Sequence, residues 1–191
     1  IAGRVRVSSA LTMLAIGVMI AVIAGDLFVP DGTIAGVIAA IAAVVQAVRL
    51  AQWQTRKTLR QPIVWVLHLA YVWLPVGFAL KALALLGGVA PAAFWLHALT
   101  IGTAATMILG VMTRASLGHT GRPLIIDPVI TLAYLLLTGA AVVRVFGLSF
   151  LPLTYPQVII LAALLWTAAF VLFVSVYAPM LLRPRVDGKP G

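Results

Sequence analysis

Long apolar runs alternate with short polar connections along this chain. The six apolar runs cover residues 8–25, 32–49, 62–86, 92–113, 127–147 and 154–181. A helix that crosses a bilayer needs about 20 mainly apolar residues, so each run is long enough for a span. Glycine and proline mark several of the connections, as at 30–32, 87–91 and 121–123. The pattern predicts an all-α fold: a polytopic transmembrane bundle of six helices in which sequential helices are antiparallel neighbours.

Composition places the chain among membrane proteins. Of its 191 residues, 63% are hydrophobic and 9% are charged, whereas about a quarter of a soluble domain is charged. A net charge of +9 would suggest nucleic acid in a soluble protein. Here the cations flank apolar runs, so we expect them to meet the headgroups of a lipid bilayer and no nucleic acid. The chain has no cysteine, which excludes disulfides, thiolate metal sites and cysteine nucleophiles.

The cations also predict an orientation. Most of them fall on one side of the predicted bundle, namely Arg4, Arg6, Arg49, Arg56, Lys57, Arg60, Arg114, Arg122, Arg183, Arg185 and Lys189. Lys81 and Arg144 fall on the other side, together with Asp26 and Asp31. Lysine and arginine are retained in the cytoplasm during insertion, so the asymmetry predicts that both termini are cytoplasmic.

Histidines are the main candidates for chemistry inside the spans. No Asp or Glu lies deep in a span, which argues against a proton pump or a cation antiporter. His68 lies in the third run, His97 in the fourth, and His119 in the polar stretch that follows the fourth. An imidazole is a common ligand of metals and of haem iron. Each histidine could equally be structural, with a hydrogen bond to a neighbouring helix.

Depth separates the two histidines of the spans. At 1.5 Å per residue, His68 and His97 differ by about 15 Å along the membrane normal. They therefore cannot bind one iron from opposite faces, and Met107 is the fourth-run residue level with His68. If cofactors bind, we expect an outer site at His97 with Arg144 or Lys81. We expect an inner site at His68, to which His119, Arg114 and Arg122 would add ligand and charge.

One face of the fourth run combines these candidates. Helical spacing aligns six residues on a stripe, called the fourth-span stripe below: His97, Thr100, Ala104, Met107, Val111 and Arg114. Gly102 and Gly110 in the same run would let another helix or a flat cofactor approach closely. The alternative is an ordinary seam between helices, in which the methionine fills a gap.

The stretch 114–123 is the densest polar segment of the chain. Arg114 and Arg122 flank His119 and two glycines, and guanidinium groups with exposed backbone amides bind anions well. Haem propionates, lipid phosphates or an acidic partner would suit this segment. A helix cap and a loop with cytoplasmic arginines would explain most of it as well.

These segments resemble the NnrS family of bacterial membrane proteins. The resemblance covers about a third of the chain and is carried by residues 62–68, Tyr71, Trp73, 96–102, Met107, 110–114, 117–123 and 140–145. The run from Met112 to Arg122 is its most specific part. The family implies a haem- and copper-containing protein of the nitric-oxide and denitrification response in the bacterial inner membrane. The implied cofactor-binding residues are His68, His97, His119, Arg114, Arg122 and Arg144, with the three histidines and Met107 as metal ligands.

The resemblance also implies a larger unit. The family has twelve spans, and residues 1–191 resemble its C-terminal half as a single six-span bundle. We therefore expect a missing N-terminal half or a partner membrane subunit to cover the third and fourth helices. Two other functions stay open: an accessory or scaffold subunit of a larger membrane complex with structural histidines, and a small-solute transporter.

Overall fold

The computed structural model describes residues 8–88 and 92–188, and all regular structure in these ranges is helical. The elements in chain order are α1 Ser9–Phe28, α2 Thr33–Ala51, a 3-10 turn Thr55–Thr58, α3 Pro62–Gly87, α4 Ala92–His97, a π-helical segment Ala98–Ala105, α5 Thr106–His119, α6 Pro128–Phe150 and α7 Tyr155–Leu181. The elements α4, the π segment and α5 follow one another without a break and form the fourth span. Six helices are thus long and apolar enough to cross a membrane, which confirms the predicted fold class.

Helix starts follow from residues that satisfy free backbone amides. The side chain of Asp127 accepts a hydrogen bond from the amide of Val129 at 2.8 Å, and Pro128 opens α6 where no amide is needed. Thr154 and Gln157 form a reciprocal capping box at the start of α7. The polar connections therefore define where each apolar helix begins.

Two groups of helices make up the bundle. The helix α2 packs against α1 and α3, and α6 packs against α7 and the fourth span. The groups meet where α3 lies along α4, the π segment and α5. The largest buried cluster crosses this seam, from Val66 of α3 through Leu109 to Tyr134 and Tyr177.

Glycines bring the third and fourth spans close together. A Cβ atom added at Gly110 would lie 2.9 Å from Val66 of α3, and one at Gly102 would collide with the indole of Trp73. Only a residue without a side chain fits at such a distance. The expected close approach at these two glycines is therefore confirmed, and the approaching element is α3.

The bundle has two ends of different charge. At the basic end, the tail after α7 reaches the end of α5, since the amide of Val186 donates to the carbonyl of Thr120 at 3.2 Å. This end also carries the connection from α2 to α3, with Arg56, Lys57 and Arg60. At the opposite end, Asp26 near the end of α1 pairs with Lys81 near the end of α3. Which end faces the cytoplasm stays a prediction.

Three spans end three or more residues later than the sequence pattern predicted, and one of them is the fifth, which ends at Phe150 rather than at residue 147. The first span continues beyond residue 25 to Phe28, because Asp26 is paired with Lys81 and does not end the helix. The fourth span continues beyond residue 113 to His119, so this histidine is the last residue of α5 rather than part of a loop. Helix α5 ends where Gly121 adopts a positive φ of 72°.

Candidate functional site

Polar and aromatic side chains meet between α2, the 3-10 turn and α3, in what we call the basic-end cluster. Its members are Gln46, Arg49, Trp53, Thr58, His68 and Tyr71. Gln46 and Tyr71 are buried in the bundle, and the ring of Trp53 lies 4.4 Å from that of Tyr71 and 5.4 Å from that of His68, between ring centroids. The cluster joins residues that are far apart in the sequence.

Tyr71 is the centre of the hydrogen bonds in this cluster. Its hydroxyl donates to the side-chain oxygen of Gln46 and accepts from Nη1 of Arg49 at 3.0 Å. The Arg49 guanidinium also lies over the Trp53 ring, 5.7 Å from its centroid. The Nε atom of Arg49 is buried without a hydrogen-bond partner among the described residues. A cation is thus held against two aromatic faces, with donor capacity left over.

The contact of His68 with Thr58 favours one tautomer of a neutral imidazole. The Thr58 hydroxyl donates its single hydrogen to the carbonyl of Thr55 at 2.8 Å. The same oxygen lies 3.4 Å from Nδ1 of His68, so the imidazole must be the donor in this second contact. A neutral ring with its proton on Nδ1 has its lone pair on Nε2.

The Nε2 atom of His68 is therefore available. No hydrogen bond to Nε2 is present in residues 8–88 and 92–188. His68 is 8% exposed, so the ring is packed while one edge remains open. Histidines that bind metals typically donate one ring hydrogen to a fixed partner and present the other nitrogen to the metal, and His68 has this arrangement.

Sequence reasoning found His68 but missed the residues around it. Gln46 and Arg49 stand in α2, and Thr58 lies in the 3-10 turn, so their contacts with α3 depend on tertiary packing. One signal was present in the sequence. Gln46 is a polar side chain four turns into an otherwise apolar helix, and such a residue is a candidate for an interhelical hydrogen bond.

His97 has a different environment at the opposite end. It is the last residue of α4 and is half-buried, with no hydrogen bond to its ring among the described residues. Arg144 of α6 lies within electrostatic range of His97, as expected from the sequence. The Arg144 guanidinium lies over the ring of Tyr155, 5.6 Å from its centroid.

A π-helical segment begins directly after His97. In a π-helix each backbone amide bonds to the carbonyl of the residue five positions earlier, and two threonine hydroxyls of this region follow the same spacing. Thr106 donates to the carbonyl of Ile101 at 3.3 Å, and Thr103 donates to that of Ala98 at 3.5 Å. Such segments are often found at functional sites. The segment widens the helix at the place where Gly102 meets Trp73.

The fourth-span stripe faces away from the described bundle. Thr100, Ala104, Val111 and Arg114 are exposed, while His97 and Met107 are half-buried. The buried face of the same span carries the glycines that contact α3. The stripe is therefore free to contact lipid, a cofactor or another chain.

His119, Arg114 and Arg122 lie apart from His68 in their contacts. Arg114 and His119 line a shallow groove on α5 together with Val111, Ala115 and Gly118. Arg122 is half-buried, and its Nη1 atom has no hydrogen-bond partner among the described residues. None of the three is seen in contact with His68, whose polar partner is Thr58.

Lys81 is committed to other contacts at the opposite end. Its ammonium group pairs with Asp26 and lies over the Trp95 ring, 4.6 Å from the centroid. The side chain is 3% exposed. Between the two cations predicted for an outer site, Arg144 is therefore the one that is not held in an ion pair within the described residues.

The described residues do not assemble a complete metal site. No three His, Cys, Asp or Glu side chains come together in residues 8–88 and 92–188. His68, His97 and His119 each lie in a separate environment, and Met107 is half-buried on the fourth-span stripe. A metal bound in any one of these environments would have one such ligand from the described residues and would need others.

Comparison with known proteins gives one match. The model of the family described as NnrS protein matches residues 2–185, which is nearly the whole chain. No curated protein matches significantly, and no solved structure does.

Proposed function

Because the chain belongs to the NnrS family, we propose that it is a haem-binding protein of the bacterial inner membrane that takes part in the response to nitric oxide. Family membership supports the protein class. The role in nitric-oxide and nitrosative stress is our inference from that class. Haem, when bound, supplies an iron centre that binds nitric oxide.

The observation that carries this proposal is the open Nε2 of His68. With the proton on Nδ1 directed to Thr58, Nε2 would carry a lone pair, and it has no hydrogen bond among the described residues. One such nitrogen is enough for a proximal haem ligand. Arg49, a member of the same cluster, offers a cation, and its buried Nε has no hydrogen-bond partner among the described residues. If haem binds, His68 would hold its iron.

Copper fits the described residues less well. Copper sites in proteins usually combine two or three nitrogen and sulfur ligands, and no group of three ligating side chains is present in the described ranges. We propose His97 as the contribution of this chain to a second site, with Arg144 close by for an anionic group. The other ligands would come from a partner.

The exposed fourth-span stripe supports a partner. Thr100 is polar yet exposed on the outside of the bundle, and polar side chains in a span are usually covered by protein. We propose that a second membrane segment, either a missing N-terminal half or a partner subunit, covers the stripe from His97 to Val111 and completes the sites, while Arg114 at the end of the span stays uncovered.

Visible absorption of the purified chain tests the haem proposal. We expect the protein in detergent to retain added haem through gel filtration and to elute with a Soret band, and we expect His68→Ala to elute without this band. His97→Ala, a matched change in the neighbouring span, should retain the band. Circular dichroism checks that each variant keeps its helices.

The second candidate function is an accessory or scaffold subunit of a membrane complex. It is favoured by the lack of a three-ligand group among the described residues. The same spectra separate the two. A wild-type chain that gives no Soret band with added haem would reject haem binding by this chain and favour the scaffold.

A further inference from the structure

A cavity at the basic end lies outside the candidate haem site. It has a volume of about 550 Å³ and lies between the start of α3, the middle of α5 and the connection to α6. Two arginines line it, Arg60 before α3 and Arg114 on α5. Ile63, Leu124 and Ile125 give it an apolar wall. The cavity thus combines two fixed positive charges with aliphatic surface.

No carboxylate of this chain neutralises the two arginines. The chain has four acidic residues, all within the described ranges, and none of them lines the cavity. Asp26 pairs with Lys81, and Asp187 with Arg185. The side chain of Asp127 caps α6, and Asp31 follows α1 at the opposite end. Among the described residues, no carboxylate therefore forms an ion pair with Arg60 or Arg114.

The start of α3 adds to the positive potential. Helix α3 has 26 residues, and its N-cap Gln61, which lines the cavity, makes no side-chain capping hydrogen bond. Pro62 has no amide, so the positive end of the helix is left without an acidic partner from the chain. This helix end and the two arginines line the same cavity.

The apolar wall of the cavity indicates which kind of anion it can bind. Ile125 is 75% exposed and Leu124 is 45% exposed, beside two charged groups at the end of a transmembrane bundle. A small hydrated anion gains nothing from aliphatic surface, whereas an acyl chain buries it. The polar and apolar parts of the cavity match the two parts of a phospholipid.

We propose that this cavity binds the phosphate group of an anionic phospholipid between Arg60 and Arg114, with an acyl chain along Leu124 and Ile125. Guanidinium groups bind phosphate through paired hydrogen bonds, and Gln cannot replace them. The site is independent of haem binding, because its ligands are these arginines and not His68. It would fix a lipid at the junction of the third span with the loop between α5 and α6.

Native mass spectrometry of the full chain in detergent tests the site. The probes are phosphatidylglycerol and phosphatidylcholine with the same acyl chains. We expect the wild type to retain phosphatidylglycerol in preference to phosphatidylcholine. Arg60→Gln should weaken phosphatidylglycerol binding by about fivefold, the effect of losing one exposed ionic contact. Arg56→Gln removes the same charge from an exposed residue outside the cavity and should have no effect.

Further arms separate the sources of the phosphate. Glycerophosphoglycerol has the same headgroup without acyl chains, and inorganic phosphate has neither the glycerol groups nor the acyl chains. If either competes as well as the lipid, the cavity is a general anion site and the lipid assignment is wrong. Ile125→Ser should weaken the binding of phosphatidylglycerol without changing the binding of inorganic phosphate. Equal losses in Arg60→Gln and Arg56→Gln would overturn the proposal in favour of diffuse charge at the membrane surface.

Discussion

The two histidines of the spans lie in regions that are built differently. His68 is packed against Trp53 and is held by Thr58, inside a cluster that joins α2, the 3-10 turn and α3. His97 is half-buried beside an irregular π-helical segment and has only the charge of Arg144 close by. The same residue type therefore has a fixed tautomer in one region and a free ring in the other.

This comparison shows that the hydrogen-bond partner of a histidine determines which of its two ring nitrogens is left to bind a ligand. The Thr58 hydroxyl has one hydrogen, and because Thr55 takes it, His68 must donate from Nδ1. His97 has no such neighbour among the described residues, so neither of its nitrogens is selected. A ligand at His68 would meet a ring that is already oriented, while one at His97 would have to orient it.

The largest effect is expected where the π segment meets α3. In Gly102→Ala the added methyl collides with Trp73, so one of the two helices must shift. We expect a loss of about 2–3 kcal/mol in unfolding free energy, as for overpacked cores. Gly118→Ala is the matched control in the same span, because no neighbouring atom lies within 4 Å of its added Cβ. Denaturant unfolding in detergent measures both, and equal stabilities would show that the seam is not tight.

A smaller loss is expected from the basic-end cluster. Tyr71→Phe removes the hydroxyl that serves Gln46 and Arg49, both of which then lose their partner in a buried setting. Leaving such groups unpaired costs about 1–3 kcal/mol. Tyr155→Phe is the control, since Tyr155 is 52% exposed and its ring, which faces Arg144, is kept. If both variants unfold like the wild type, the cluster does not stabilise the bundle.

The tautomer of His68 is tested by Thr58→Val. Without the hydroxyl oxygen, the Nδ1 proton loses its acceptor, and we expect a mixture of tautomers in place of one. Nitrogen-15 chemical shifts of the labelled imidazole report this directly, and the stability should fall by about 1 kcal/mol. Thr58→Ser should restore the single tautomer. Thr100→Val removes an exposed hydroxyl that bonds only within its own helix and should leave His68 unchanged. A mixture in the wild type would contradict the assignment.

The smallest effect is expected beside His97. Arg144→Gln removes a half-exposed guanidinium that stacks on Tyr155, an interaction of about 0.5–1 kcal/mol. Arg144→Lys keeps the charge and should recover part of the loss. Thermal unfolding in detergent measures both. A loss above about 2 kcal/mol would mean that Arg144 has a structural role as large as that of the basic-end cluster.

The sequence predicted the fold better than the site. In a bilayer, an apolar run of about 20 residues satisfies its backbone hydrogen bonds by forming a transmembrane helix, so six spans could be assigned from length alone. The boundaries at Asp26 and Arg114 were placed too early, because a charge in the sequence does not reveal its partner. Asp26 is paired with Lys81 across 55 positions of the chain.

The candidate site depended on features that no local pattern carries. His68 and His97 were identifiable as polar residues in apolar runs, but the Thr58 contact arises only when the 3-10 turn folds back onto α3. The π segment also has no periodic signal. A stripe counted at helical spacing from His97 passes through it, although the turn there is wider. Periodicity shows which residues share a helix face, and tertiary packing decides what that face contacts.

The ion pair between Asp26 and Lys81 has a consequence for the order of membrane assembly. Asp26 emerges at the end of the first helix, but its partner is made 55 residues later, near the end of the third. A lysine buried to 3% exposure needs that carboxylate to remain charged at low cost. The first helix therefore reaches the position that it has in the structure only once the third helix supplies its partner.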